Sequence, residues 1–395
     1  MGCKEEKKDI YGIVSFYDVA LSNNVVWFID QYHNVLEKMD LGTGEINIEA
    51  FLPIFPEMEN IINQYGNIWK FDNLIVISPR NSNHILLYSL VEKTFNDIKV
   101  DSAYFGDAGT YNLINTCFAW KNYLYLIPGL YKRIIRVDVK KAKIDYIDFG
   151  YDEIKHMISD PSRVTFSRNA VYENVAYLTF WQGPYILKFD FLSAKSELIC
   201  VSDDKSGLSG ITCDGKYIWV ALRDKPEILK LDMNLKLILR ISICIDSLEL
   251  EPGINHLADS SKFLYAMPRF GNGIIKIDKN SLEIEKIFEM PTKRKEYLIN
   301  FPLLSDSAMC MKKIDDRRVL AYSTLDAKVL LLNVETAEVS CLDGYLQDEN
   351  LRYKVKSYYR RWAARNAGIC GELEDYTLSD FVKMIVDDEF HKDVM

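Results

Sequence analysis

Three of the five histidines are the residues of this chain best suited to acid–base or metal chemistry. His33 and His84 each follow a strongly apolar run, and His256 lies in the segment GINHLAD. Imidazoles that the fold brought together would act as a general acid and base, or would hold a metal ion. These positions motivate one hypothesis, that the chain is a lyase or hydrolase, with or without the help of a metal.

No known catalytic motif accompanies these histidines. The sequence contains no His-x-His, no HExxH, no GxSxG and no phosphate-binding glycine loop, and GNG at 271–273 has the composition of a turn. Paired acids such as Asp203 and Asp204 are typical of solvated surface charge. We therefore predict no cofactor, no bound metal and no assignable catalytic residue, and enzymatic activity is the alternative to a binding function.

The elements that position these residues form a repeat. A short apolar stretch that ends in Asp, Ser or Asn occurs seven times, at steps of 49, 49, 52, 42, 46 and 55 residues. The copies are LEKMD (36–40), ILLYS (85–89), IIRVD (134–138), ILKFD (186–190), ILKLD (228–232), IIKID (274–278) and VLLLN (329–333). Such a period indicates a structural unit that cannot bury its own apolar surface and packs on its neighbours.

Each unit reads as four short antiparallel strands. A turn and a further strand follow most copies, as in DLGTGEINIEAF, and the terminal Asp is predicted to accept hydrogen bonds from amides two or three residues on. Two more strands precede each copy, for example NTCFAW and then NYLYLIP. Runs such as NLIVI and VLLL are apolar on both faces, so each sheet must be covered on both sides. Seven sheets arranged radially around an axis satisfy this requirement.

In this rhythm of apolar strand, Asp and Thr-Gly-Glu, the chain resembles the seven-bladed β-propeller superfamily, with YVTN-type and quinoprotein-like propellers the most similar in pattern. The resemblance covers about residues 11–343 and implies an all-β propeller of four-stranded antiparallel blades. Trp-Asp dipeptides at strand ends and the double-glycine signature of kelch repeats are absent from the sequence. We expect an N-terminal arm at 1–10, the propeller at 11–343 and a helical extension at 344–395. The segment DIYGIVSF is expected to supply an outer strand to the last blade.

The resemblance also implies where ligands bind. Propellers of this kind usually bind them on the face made by the loops between second and third strands, with the loops between blades and the mouth of the central channel. The candidate ligand-binding residues on this face and channel are His33, Arg80, His84, Tyr131, Trp181, Arg223, His256, Arg269 and Phe270. Arginine and aromatic side chains are over-represented at binding hot spots. The first hypothesis is therefore a non-enzymatic scaffold, centred on Trp181, Arg223 and Arg269, that holds a protein segment or a glycan.

The last fifty residues change to a helical pattern. Leu351, Val355 and Tyr358 share one face of a predicted helix that ends near Asn366, and a second helix is predicted from Thr377. Six basic and four aromatic residues lie between 352 and 365, without an acid. This composition fits an anionic partner, or a helix that packs its aromatic side chains on the propeller; we favour the second.

Charge and cysteine content limit the partners and the location. The net charge of −9 argues against a whole-surface role on nucleic acid or anionic lipid, which need a basic footprint. The sequence has no transmembrane segment, and a cytoplasmic location is expected. Because GCKEEKK resembles the start of a mature bacterial lipoprotein, a lipoprotein without its signal peptide is the alternative. The eight cysteines show no CxxC spacing and are predicted to be reduced and buried, and the oligomeric state is left open.

Overall fold

Seven four-stranded antiparallel sheets follow one another along the chain, each with its strands in sequence order. The computed structural model describes residues 10–30, 33–55, 63–106, 109, 112–158, 164–244, 251–270, 273–291, 293, 295 and 308–365. For residues 10, 251, 252, 270, 308, 309 and 359–365 it describes the backbone alone. The predicted seven-bladed β-propeller with a helix after it is confirmed.

Each sheet is one blade, and its first strand lies against the first strands of neighbouring blades, around the central channel. The strands of the first three blades are β1 (Val19–Ser22), β2 (Val25–Asp30), β3 (Val35–Asp40), β4 (Ile46–Phe51), β5 (Tyr65–Phe71), β6 (Leu74–Pro79), β7 (His84–Ser89), β8 (Phe95–Lys99), β9 (Ile114–Trp120), β10 (Tyr123–Pro128), β11 (Ile134–Asp138) and β12 (Lys143–Ile147). The strands of the other four blades are β13 (Phe166–Tyr172), β14 (Val175–Phe180), β15 (Tyr185–Asp190), β16 (Lys195–Cys200), β17 (Leu208–Cys213), β18 (Ile218–Leu222), β19 (Glu227–Leu231), β20 (Leu237–Ser242), β21 (Glu251–Asp259), β22 (Phe263–Phe270), β23 (Gly273–Asp278), β24 (Ile284–Glu289), β25 (Ala308–Lys313), β26 (Arg318–Ser323), β27 (Lys328–Asn333) and β28 (Val339–Asp343). The helices are α1 (Tyr151–Ile154) and α2 (Glu349–Arg365), and the described 3-10 turns are Ile10–Gly12 and Ser102–Tyr104.

The apolar core is divided into seven clusters, one between each pair of neighbouring blades. Val76 of the second blade packs with Leu124 of the third, and Phe28 of the first blade packs with Tyr322 of the last. In β6 and β10 every residue after the first is buried, because these strands contact a neighbour on each face. The apolar runs seen in the sequence therefore follow from stacking on both sides.

The repeated Asp that ends the third strand stabilises the turn after it. In the first blade Asp40 Oδ1 accepts hydrogen bonds from the amides of Gly42 (2.7 Å) and Thr43 (3.0 Å). In the fourth blade Asp190 Oδ1 accepts them from Leu192 (2.9 Å) and Ser193 (2.7 Å). The bonds from the Ser193 and Leu192 amides favour the carboxylate and lower the pKa of Asp190. The turn chemistry predicted from the sequence is confirmed.

The two ends of the propeller meet between the last and first blades. The amide of Val14 donates to the carbonyl of Gly344 (3.1 Å), and the amide of Leu346 donates to that of Gly12 (2.8 Å). All four strands of the last blade lie within 308–343, so the N-terminal stretch runs along the chain that follows β28. The prediction that DIYGIVSF forms an outer strand of the last blade is therefore wrong.

Side chains add three further connections between these blades. Lys312 Nζ donates to Asp18 Oδ1 and to the carbonyl of Val19, each at 2.7 Å. Arg318 Nη1 donates to Asn24 Oδ1 (2.8 Å). The Tyr322 hydroxyl donates to the carbonyl of Val14 (2.5 Å). Polar contacts distributed across the blades thus supplement the apolar core in closing the ring.

Helix α2 packs on the propeller through its apolar face, as predicted. Val355 is fully buried, and Leu351 packs against the core between the last and first blades. Tyr358 lies with its ring 4.7 Å from that of Phe51, and its hydroxyl donates to the carbonyl of Leu52 (2.8 Å). The helix predicted from Thr377 lies outside the described residues. Within the described part of the chain, no helix has the length and apolar character needed to cross a membrane.

The cysteines depart in part from the prediction. Cys117 and Cys310 are buried on the innermost strands of the third and last blades. Cys200, Cys244 and Cys341 are exposed. Two of these, Cys200 and Cys341, belong to outermost strands, and a strand of that kind has neighbouring residues on one edge only. The expectation that the cysteines are buried is wrong for these three. For Cys200 and Cys341 the reason is that the apolar pattern does not distinguish outer strands from inner ones, and Cys244 follows β20 outside any strand.

Candidate functional site

The loops between second and third strands and the segments between blades lie at one end of the propeller, since successive strands are antiparallel. Backbone hydrogen bonds join the two kinds of segment. The amide of Arg80 donates to the carbonyl of Gln64 (2.8 Å), and the amide of Arg223 donates to that of Gly207 (2.9 Å). We call this end the loop face. Its backbone is held by the blades beneath it, which gives its side chains fixed positions.

Three of the predicted residues from three successive blades meet on the loop face. Trp181 follows β14, Arg223 follows β18, and Arg269 is near the end of β22. The guanidinium carbon of Arg223 lies 4.4 Å from the centroid of the Trp181 ring, and that of Arg269 lies 5.4 Å from it. Arg223 Nη1 also donates to the Trp181 carbonyl (3.3 Å). These residues, hereafter the Trp181 cluster, are all half-buried and retain accessible surface.

Two glycines fix the backbone beneath the Trp181 cluster. A Cβ atom on Gly207 would lie 2.0 Å from the Trp181 carbonyl oxygen, and one on Gly253 would lie 1.6 Å from that of Arg223. Gly253 also has a φ of +101°, which residues with a side chain rarely adopt. Each carbonyl is thus in close contact with the chain of the following blade, so the loops that carry Trp181 and Arg223 have little freedom to move.

Three other predicted residues lie in the interior of the protein. His33 is buried with its Nδ1 3.0 Å from Asp30 Oδ1. His84 is buried, with its Nδ1 2.7 Å from Asp97 Oδ2 and its ring stacked on Phe55. Tyr131 is fully buried, its hydroxyl donates to the carbonyl of Asp101 (2.8 Å), and burial raises its pKa. All three occupy the loop positions that the sequence predicts, but their side chains point into the protein.

Arg80 belongs to the loop face but its side chain contacts a channel residue, and His256 lies in the channel. The Arg80 guanidinium carbon is 3.6 Å from the centroid of the Tyr17 ring, and Tyr17 lines a channel cavity. His256, expected to point into the channel, lines both channel cavities. The side chain of Phe270 lies outside the described residues. His33, His84 and His256 therefore have three different sets of neighbours, and the structure does not bring them together as one site.

In the central channel the predicted residue His256 is paired with Arg168, which the sequence did not single out. Arg168, on the innermost strand β13, places Nη2 3.3 Å from Nε2 of His256 on β21. Nη1 of Arg168 donates to the carbonyl of Ser167 (3.2 Å). Beside it, Asn169 Nδ2 donates to Thr116 Oγ1 (2.6 Å). The signal that could have revealed this pair is the polar segment SRN inside a strand that otherwise reads as apolar.

A second channel group is formed by Lys312 and Asp18. Burial alone lowers the pKa of Lys312, but the charge of Asp18 outweighs it, and the pKa is raised. Burial, together with the charge of Asp18, raises the pKa of the Cys117 thiol, and that of Cys310 to about 12. Lys312 is therefore a cation at neutral pH, and both thiols keep their protons. Across the ranges that the structure describes, no group of three His, Cys, Asp or Glu residues is arranged to hold a metal ion.

Comparison with models of known protein families and with curated proteins finds no match to the chain. Solved structures do match. A streptogramin B lyase is 13% identical with a TM-score of 0.59, over 84% of this chain and 94% of that one. The chain shares the fold of the seven-bladed propellers. A catalytically inactive virginiamycin B lyase from Staphylococcus aureus with quinupristin is 14% identical with a TM-score of 0.57, over 82% of this propeller and 95% of that one. YCF48 bound to a D1 peptide is 10% identical with a TM-score of 0.57, over 82% and 94%.

Proposed function

We propose that this propeller is a non-enzymatic binding protein that holds an extended, carboxylate-bearing protein segment at the Trp181 cluster. The observation that carries the proposal is the position of two guanidinium groups over one Trp ring on the loop face. Arg and Trp are the side chains most often found at the energetic centre of protein interfaces.

The geometry of the cluster favours a carboxylate as the recognised group. A guanidinium that stacks on an aromatic ring keeps its plane fixed and its N–H groups directed along that plane, where they match the two oxygens of a carboxylate. Because the loops are already fixed by Gly207 and Gly253, little conformational entropy is lost when a ligand binds.

A glycan is the less favoured ligand for the same site. Sugar rings bind proteins largely by stacking on exposed aromatic faces. Here the guanidinium groups of Arg223 and Arg269 lie over the Trp181 ring, on the surface that a sugar would need. YCF48, which shares the fold, is bound to a peptide in its structure, and this agrees with a peptide as the ligand class.

A selection from a displayed peptide library tests the proposal. Peptides that bind the wild-type protein are expected to be rich in Asp and Glu. Replacing both Arg223 and Arg269 by Gln should weaken their binding by about tenfold or more, because each charge-assisted hydrogen bond contributes about 1.5–3 kcal/mol. The control replaces Arg136 and Arg317 by Gln, which removes the same charge from side chains that form ion pairs with Asp145 and Glu335 elsewhere on the surface. Selected peptides without acids, or equal losses in both double variants, would contradict the proposal.

A further inference from the structure

The channel of this acidic propeller is lined by an excess of positive charge. Two adjoining cavities, of about 310 Å³ and 340 Å³, are bordered by the innermost strands. Their charged lining residues are three cations and two acids: Arg168, Lys312, Lys313, Asp18 and Asp259. The described lining therefore carries one net positive charge, whereas the whole chain carries −9. A local cationic site in a protein of negative charge is suited to a small anion.

Two of these cations are shared by both cavities and are held in place. Arg168 and Lys312 each line both cavities, so they border the space where the cavities meet. His256 lies 3.3 Å from the Arg168 guanidinium, and Lys312 is fixed by Asp18 and by the carbonyl of Val19. Cations fixed in this way before binding need little reorganisation when an anion arrives, and because Asp18 offsets the charge of Lys312, Arg168 provides most of the attraction.

The wall next to Lys312 is aromatic. Lys312 Nζ lies 4.9 Å from the centroid of the Trp69 ring, and Trp69 and Tyr17 both line the first cavity. An anion bound at Lys312 would therefore have its remaining atoms against aromatic rings. Pockets of about 300 Å³ and more accommodate small organic ligands.

From this arrangement we infer that the channel binds a small aromatic carboxylate. Its carboxylate binds Arg168 next to Lys312, and its ring packs against the faces of Trp69 and Tyr17 that Lys312 and Arg80 do not cover. This site is separate from the Trp181 cluster, and none of its residues is used in the proposed function.

Calorimetric titration with benzoate tests the inference, with benzamide as the neutral ligand of the same shape and inorganic phosphate as an anion without a ring. Benzoate should bind the wild-type protein, and benzamide and phosphate should bind about tenfold more weakly or worse, because each lacks one of the two recognised features. Arg168→Gln should weaken benzoate binding by about tenfold or more, while Arg168→Lys, which keeps the charge, should recover part of it.

The control is Arg317→Gln, which removes a charge from a side chain that is 75% exposed and forms an ion pair with Glu335 at 3.6 Å. It should leave benzoate binding unchanged, and circular dichroism should show that all variants are folded. Failure of the wild type to bind benzoate would overturn the inference. Equal affinities for benzoate and benzamide would also overturn it, as would equal benzoate affinity in wild type and Arg168→Gln. A third contradicting result would be phosphate that binds more tightly than benzoate and displaces it.

Discussion

Replacing Glu37 by glutamine is expected to change how the stability of the propeller depends on pH. Glu37 lies on β3, directly across from Phe28, in the face that packs against the last blade. Its side chain is fully buried, and neither carboxyl oxygen has a hydrogen-bond partner among the described residues. Burial raises the pKa of Glu37 well above its ordinary value of 4.5, and the charge of Asp30 raises it further. His33 also lies beside Asp30, at 3.0 Å.

The sign and size of the effect follow from proton binding. Above pH 4.5 the unfolded chain loses the Glu37 proton, while the folded protein keeps it. The folded state then binds more protons, so the free energy of unfolding falls as pH rises, by up to about 1.4 kcal/mol per pH unit. This contribution is fully present below pH 4.5 and is lost as pH rises through the folded-state pKa. Glutamine cannot ionise, so the Glu37→Gln protein lacks this slope.

Urea unfolding at several pH values between about pH 5 and pH 7 measures the difference. The stability of Glu37→Gln relative to wild type should increase with pH over this range. Any constant offset reports how the amide packs, and only the change with pH tests the reasoning. Glu92→Gln is the control, because Glu92 is exposed in the turn between β7 and β8. A difference between Glu37→Gln and wild type that stays constant from about pH 5 to pH 7 would refute a protonated, buried Glu37.

Two further substitutions test the contacts between blades. Burial alone raises the pKa of Asp214, but hydrogen bonds from Trp219, Lys279 and two backbone amides outweigh burial and lower this pKa to about 2. Asp214→Asn should therefore lower the free energy of unfolding by about 2 kcal/mol at neutral pH, and this loss should disappear as pH falls from about 4 to about 2. Urea unfolding that shows the same loss at neutral pH and at about pH 2 would contradict this. Gly253→Ala should lower the melting temperature and weaken peptide binding together, because its Cβ would meet the Arg223 carbonyl. A melting temperature of Gly253→Ala equal to that of the wild type would show that the segments at 223 and 253 move apart at little cost.

The fold was predictable because its determinants are local and repeated. The Asp that ends each third strand, as in Asp40 and Asp190, sets the turn through bonds only two or three residues away. The closure of the ring was not predictable. It depends on contacts such as Lys312 with Asp18, which are 294 residues apart, and on a short bridge between Ile13 and Tyr345. No local pattern in the sequence marks either contact.

The sequence predicted the residues of the candidate site only where the place of a loop in the blade repeat is enough to bring side chains together. Trp181, Arg223 and Arg269 are brought together because equivalent loops of successive blades are neighbours on one face. His33 and Tyr131 come from loops of the same kind but turn inward, since the loop position does not determine the direction of a side chain.

The channel residues were missed for another reason. Arg168 and Lys312 belong to innermost strands, where polar and apolar residues mix because one edge of the blade borders the channel. In the sequence these strands look like core strands interrupted by polar residues, and no pattern in the sequence indicates that the polar side chains meet in the channel.

Hydrogen–deuterium exchange with a selected acidic peptide tests the central claim, that the Trp181 cluster is the binding site. Amides at 181–183, 223–225, 267 and 269 should exchange more slowly with peptide than without it, while the turn at 41–45 on the opposite end should not change. Protection confined to that opposite end, or protection at neither end despite measurable binding, would contradict the proposed site.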